Sequence, residues 1–111
     1  MAQSFKILGQ IDLTTTALED VYTVPANRET IISTIVIANR AATDTTFTLA
    51  LRDQGVTLAN KHLLASDVSV EANDSTTLTL GITLEAADVL SVAAGDGDRL
   101  SVNVFGTEIT V

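Results

Sequence analysis

Apolar and polar residues alternate along several short stretches of this chain, and the alternation restricts those stretches to extended structure. A period of two is the repeat of a β-strand, whose successive side chains point to opposite faces of a sheet. From Thr45 to Arg52 the pattern predicts that Phe47, Leu49 and Leu51 face inward. The stretch from Thr77 to Leu84 repeats it, and its predicted inward residues are Leu78, Leu80, Ile82 and Leu84.

Residue usage agrees with this pattern. Seventeen threonines and many Val and Ile residues favour strands, because β-branched side chains fit a pleated sheet and crowd a helix. Aromatic residues make up only 4% of the chain, so its core is expected to be aliphatic. Turn signals at short intervals separate the predicted strands, which are 5–11, 21–24, 29–39, 45–52, 63–70, 77–84, 89–93 and 100–111.

The number and spacing of these strands predict the fold class. About seven or eight short strands with little or no helix are typical of an antiparallel β-sandwich or jelly roll. A single turn of helix is possible between Thr57 and Leu64. No linker divides the sequence, so we expect residues 1–111 to form a single all-β domain.

The stretch from Glu29 to Asn39 is apolar on both faces. Strict alternation would place Ile32, Val36 and Ala38 on one face and Ile31, Ile35 and Ile37 on the other. A strand of this kind needs a cover on both sides. We therefore predict protein contacts at Ile31, Ile35, Ile37 and Phe105; the alternative is that all four belong to one large core.

Charge and cysteine content exclude several kinds of partner. The net charge of −8 argues against nucleic acid and against anionic membranes, since both require clustered basic residues. The chain has no cysteine, so it has neither disulfides nor thiolate metal sites. No stretch has the length or composition of a signal sequence or a membrane span, which predicts synthesis in the cytoplasm.

No constellation of residues predicts catalysis, a cofactor or a metal. His62 is the only histidine, so a structural role is expected. Asp96 and Asp98 invite a calcium interpretation, but a hairpin turn explains them as well. Two carboxylate pairs are expected to be solvated: Glu19 with Asp20, and Glu85 with Asp88. We predict that the protein is not an enzyme.

Three stretches that follow one another along the chain carry a family resemblance: Asp20-Val-Tyr-Thr-Val-Pro-Ala-Asn27, Thr30 to Arg40, and Thr45 to Leu51. Together with Leu58 to Leu64, Ala72 to Leu78 and Leu100 to Gly106, they make the chain resemble small structural proteins of tailed bacteriophages. The resemblance implies a virion component of the head-decoration, tail or fibre type, and it supplies no catalytic residues. Tyr22 is expected to anchor a corner of the fold, either by packing or by a hydrogen bond between its hydroxyl and the backbone.

Two functions from different classes follow from the resemblance. The first is a capsid decoration or cement protein, a homo-oligomer in contact with other virion proteins, with a trimer as the first expectation by analogy. The alternative is a tail or fibre module that binds other tail proteins or a host receptor through loops 53–60 and 95–99. Scarce aromatics count against a glycan receptor, and a hydrolase would need a buried carboxylate pair.

Overall fold

A computed structural model describes residues 3–111 of the chain, except for the side chain of Leu80. The strands are β1 (Gln3–Leu13), β2 (Glu19–Thr23), β3 (Arg28–Asn39), β4 (Thr45–Arg52), β5 (Leu63–Val70), β6 (Ser75–Glu85), β7 (Val89–Ala94) and β8 (Leu100–Thr110). Between β4 and β5 lie two single turns of 3₁₀ helix, η1 (Asp53–Gly55) and η2 (Asn60–His62). Within residues 3–111, no helix is both long enough and apolar enough to cross a membrane.

The strands form two four-stranded sheets. The first sheet has the order β1-β8-β3-β6 and the second the order β2-β7-β4-β5, with every pair antiparallel. Apart from the link between β4 and β5, each connection carries the chain from one sheet to the other. Eight strands wound between two sheets in this way form a jelly roll. The predicted all-β sandwich or jelly-roll fold is confirmed.

The turn around Asp96 and Asp98 differs from its prediction. A hairpin was expected there, but β7 belongs to the second sheet and β8 to the first, so the loop from 95 to 99 bridges the two layers. Asp96 accepts a hydrogen bond from the Thr45 hydroxyl at 2.8 Å, and Arg99 lies 3.3 Å from the same carboxylate. Asp96 therefore helps to fix an inter-sheet crossing.

The core between the sheets is aliphatic, as the composition predicts. Phe47 and Tyr22 are its only buried aromatic residues within the described part of the chain. The remaining side chains of the core cluster are aliphatic: Leu13, Val24, Ile32, Ile35, Ile37, Leu49, Val70, Leu84, Leu90, Val92, Ala94, Leu100, Val102 and Val104.

A β-bulge in β3 corrects the prediction for that strand. Against β8, the register of β3 shifts between Ile32 and Thr34, so Ser33 is an extra residue relative to that neighbour. On the other side, β6 has two residues, Leu80 and Gly81, where β3 has only Ser33. A bulge exchanges the two faces of the strand that follows it. Ile35 and Ile37 thus join Ile32 inside the sandwich with no exposed surface, whereas Ile31 points outward. Val36 and Ala38 are half-buried on the outer side.

The alternation predicted for β4 and β6 is found in the structure. Phe47 and Leu49 are buried and Leu51 is half-buried. In β6, Leu84 is buried, and Leu78 and Ile82 pack against the core. The side chain of Leu80 lies outside the part that the structure describes.

The segment after β4 covers the outer side of the second sheet. Gly55 in η1 lies against Val89, and Arg52 donates to the carbonyl oxygens of Gly55 and Val56. Beneath this cover, Ala50 and Ser91 are fully buried although they point away from the core. The helical turn predicted within 57–64 is η2. The outer side of the second sheet is therefore covered by a segment of the same chain.

Candidate interaction surface

The solvent side of the first sheet, here called the outer face, consists of rows of residues that lie directly opposite one another on adjacent strands. Such neighbours share a face, with Cβ atoms about 4.5–5.5 Å apart. Three consecutive rows form the middle of the outer face: Phe5, Thr107, Ile31 and Thr83; Ile7, Phe105, Thr34 and Thr79; and Gln10, Asn103, Val36 and Thr77.

The apolar members of these rows are open to solvent. Phe5 is 79% exposed, Ile7 51% and Ile31 40%, and Phe105 is half-buried among them. A shallow groove of about 400 Å³ runs between β1 and β8 beside Phe5, Ile7 and Phe105. Contiguous apolar surface of this kind marks sites of interaction on soluble proteins.

The same three rows contain no charged residue, although the chain has a net charge of −8. Charges begin only at the ends of the outer face. Glu29 and Glu85 occupy one end, and Asp12, in an ion pair with Arg40, occupies the other. Depletion of charge at the centre with charge at the rim is the composition of a protein–protein interface.

Two bulges shape the middle of the outer face. Leu8 in β1 and Ser33 in β3 are the extra residues on either side of β8 near Phe105 and Gly106. The Ser33 hydroxyl donates to the Phe105 carbonyl oxygen at 3.2 Å. A side chain at Gly106 would collide with the Ile31 carbonyl oxygen, so the close approach of β3 and β8 requires glycine there.

A buried polar cluster supports this part of the sheet from inside. Glu108, with 7% of its side chain exposed, accepts a hydrogen bond from the Tyr22 hydroxyl at 2.6 Å and lies 2.6 Å from the Lys6 ammonium. The Tyr22 hydroxyl is also 2.8 Å from the Thr30 hydroxyl. Tyr22 therefore anchors the corner through side chains rather than through the backbone bond considered from sequence.

Burial and hydrogen bonding shift both acidic groups of this cluster. Burial alone would raise the pKa of the Glu108 carboxyl, but the hydrogen bonds from Lys6 and Tyr22 outweigh it and hold that pKa below its ordinary value of 4.5. Burial, followed by the hydrogen bond to Glu108, raises the pKa of Tyr22 far above 10.0. Glu108 is thus ionised and Tyr22 neutral at neutral pH.

This cluster predicts an acid-labile contribution to stability. Because the pKa of Glu108 is lower in the folded state, its stabilisation is present above the unfolded-state pKa and is lost as pH falls through the folded pKa. Glu108→Gln should therefore reduce the loss of unfolding free energy between about pH 7 and about pH 3, which urea denaturation measures. Identical pH dependence in the variant and the wild type would contradict this assignment.

The four predicted contact residues divide into two groups. Ile31 and Phe105 lie on the outer face in adjacent rows. Ile35 and Ile37 are fully buried, so their prediction as contacts was wrong and the core alternative holds for them. The sequence interpretation missed Phe5 and Ile7, whose alternation with Lys6 was the available signal for an outward apolar pair.

The residues considered for chemistry have structural surroundings. His62 is buried, and its Nδ1 accepts the backbone N–H of Ala59 at 2.9 Å. Asp20 accepts from Arg52 at 2.6 Å and from the Ser91 hydroxyl at 2.9 Å. Its neighbour Glu19 has one buried carboxylate oxygen with no hydrogen-bond partner within residues 3–111. The contacts of His62 and Asp20 thus stabilise the second sheet and the segment that covers it.

Three carboxylates, Asp53, Glu85 and Asp88, lie together at the end of the sandwich, with one oxygen of each within 4.8 Å of the others. Asp88 was expected to be solvated, but it is buried and accepts the backbone N–H groups of Glu85 and Gln54. Burial raises the pKa of Asp88, and these hydrogen bonds bring it below the ordinary value. Asp88 thus fixes the turn before β7.

The fold can be compared with solved structures. A chain in the structure of infectious bursal disease virus, Gx strain, superposes with a TM-score of 0.52 at 12% identity, covering 98% of this chain and 32% of that one. The likeness is one of fold. This protein spans about a third of the length of that viral chain.

Two phage structures give lower scores. A pentameric capsid protein from metagenomic phage sequences has a TM-score of 0.40 at 16% identity, covering 97% of this chain and 65% of that one. A chain of the cyanophage Pam1 capsid asymmetric unit has a TM-score of 0.38 at 19% identity, with coverages of 98% and 86%. No protein-family model and no curated protein sequence matches the chain.

Proposed function

We propose that this protein is a structural component of a phage particle that decorates or cements the capsid through contacts with other virion proteins. The observation that carries the proposal is the outer face, whose middle is uncharged and partly apolar in a strongly acidic chain. Ile31 and Phe105, with Phe5 and Ile7, are the proposed contact residues. The protein acts by binding and is not an enzyme.

Two further observations support this function. The sequence resembles small structural proteins of tailed phages along most of its length. The jelly roll is an architecture of viral capsid proteins, but lectins and cupins share it. The fold therefore agrees with the proposed function but does not by itself identify it. On the particle we expect a homo-oligomer, with a trimer as the first expectation; the −8 charge makes the association of free copies weak.

Binding to particles tests the proposal. Purified protein, incubated with expanded and undecorated capsids of the phage that encodes it, should cosediment saturably and should not bind host cells. Phe5→Asp places a charge at the most exposed apolar residue of the outer face and should weaken binding by roughly 10-fold or more. Ala42→Asp, on an exposed bend away from this face, is the matched control and should bind as the wild type does.

A tail or fibre module is the alternative, and the same experiment separates the two. Binding to host cells or purified tails, with none to capsids, would favour that module and contradict decoration. If the Phe5→Asp variant and the wild-type protein bind capsids equally well, the outer face does not form the contact with the capsid.

A further inference from the structure

The end of the outer face carries a pair of like charges. Glu29 on β3 lies directly opposite Glu85 on β6, an arrangement that destabilises a sheet unless a cation approaches. Within residues 3–111, neither carboxylate forms an ion pair. In the part of the chain that the structure describes, this acidic pair therefore has no cationic partner, and one oxygen of Glu85 also lies within 4.8 Å of oxygens of Asp53 and Asp88.

A groove of about 400 Å³ lies at this pair, and its walls include Ile31 and Ile109 as well as the two glutamates. We call it the acidic groove. Apolar walls that lead to carboxylates suit a lysine side chain, whose methylene stem packs on apolar surface while its ammonium reaches the charges. The groove therefore has the chemistry to receive a basic side chain.

One lysine has no partner among the residues that the structure describes. Four of the six basic residues form ion pairs, namely Lys6, Arg40, Arg52 and Arg99, and Arg28 donates to Thr110. Lys61 forms neither kind of contact within residues 3–111. It lies in η2, on the segment beside the second sheet, between the exposed side chains of Leu58 at 41% and Leu64 at 48%.

Lys61 and the acidic groove belong to opposite layers of the sandwich. The groove opens on the outer face of the first sheet, and η2 lies on the side of the second sheet, in contact with β4. Within the described residues, Lys61 forms no ion pair with either glutamate of its own chain. A second copy can bring it there, and Leu58 and Leu64 would then reach the exposed apolar rows next to the groove.

We propose that copies of this protein associate head to tail, with Lys61 of one copy bound in the acidic groove of the next. Leu58 and Leu64 pack beside it on the apolar outer face, near Ile31. A contact between two different surfaces produces a ring where the rotation closes and an open chain where it does not. The inference deepens the assembly role proposed above and rests on it.

The contact is small. Each surface has only a few exposed apolar side chains, so the contact buries less than the roughly 1,200–2,000 Å² of a stable interface. Two copies should therefore bind each other weakly, with a Kd on the order of 10–100 µM. Repetition around a ring or on a particle strengthens contacts of this kind through avidity.

Charge exchange tests the proposal, with sedimentation velocity at rising protein concentration as the measurement. Lys61→Glu alone, and the double variant Glu29→Lys with Glu85→Lys alone, should each associate about 10-fold more weakly than wild type or worse. An equimolar mixture of the two should associate again, because each variant restores the charge complement of the other. All these positions are exposed, and unchanged thermal unfolding will show that the variants fold.

Three results would overturn the inference: a wild-type protein that stays monomeric at every concentration, undiminished association of Lys61→Glu, or a mixture that remains monomeric. Wild-type protein that is monomeric yet binds capsids would remove the head-to-tail contact and leave the proposed function standing. Head-to-tail association without any binding to particles would support the contact between copies and contradict the proposed function.

Discussion

Ile35→Asp should prevent folding, whereas Ile31→Asp should leave the fold intact. Ile35 has no exposed surface, so the substitution buries a carboxylate in an aliphatic core at a cost that exceeds about 5 kcal/mol, comparable to the whole stability of a small domain. Ile31 is 40% exposed on the outer face, and an aspartate there keeps its hydration at a cost within about 1 kcal/mol. Far-UV circular dichroism and urea denaturation measure both effects.

This pair of variants tests the bulge at Ser33 directly. Without the bulge, Ile31 and Ile35 would share one face of β3 and would respond alike. Similar tolerance of both substitutions, or similar loss of folding, would contradict the register of β3 in the structure.

Gly106→Ala should destabilise the protein by about 2–4 kcal/mol. A Cβ atom at this position would collide with the Ile31 carbonyl oxygen and would lie 3.0 Å from the Ile32 Cα and 2.9 Å from a Leu8 methyl group. Backbone atoms of a neighbouring strand cannot move away without breaking the pairing of β3 with β8. Denaturant titration will measure the loss of unfolding free energy.

Gly81→Ala is the matched control for this substitution. Gly81 also lies in a strand of the first sheet, but a Cβ atom there meets nothing within 4 Å. The change should leave stability within about 0.5 kcal/mol or raise it slightly, because alanine restricts the unfolded chain. Equal effects at the two glycines would show that close approach at Gly106 is not the cause.

Much of the fold is predictable from sequence, because strand location depends on local alternation. All eight predicted strands are present, and those at 45–52 and 63–70 have the predicted bounds. The pairing order is not predictable in this way. Nothing local distinguishes a loop at 95–99 that closes a hairpin from one that joins two sheets, since that choice depends on packing between distant strands.

The proposed contact surface was only partly predictable, for a related reason. The excess of apolar residues in β3 predicts a strand with an additional face to cover, but Ser33 gives no sequence signal that it forms a bulge. A single inserted residue changes which isoleucines face outward. The cross-strand rows that bring Phe5, Ile31 and Phe105 together exist only after β1, β3 and β8 have paired.

Cryo-EM of the phage particle to which we propose that the protein belongs tests the central claim most directly. A cryo-EM map of that particle should show eight-stranded jelly-roll density on the capsid surface, with Phe5, Ile7, Ile31 and Phe105 covered by a neighbouring protein subunit. Absence of the protein from purified particles, or an outer face left open to solvent wherever the protein is found, would contradict the account.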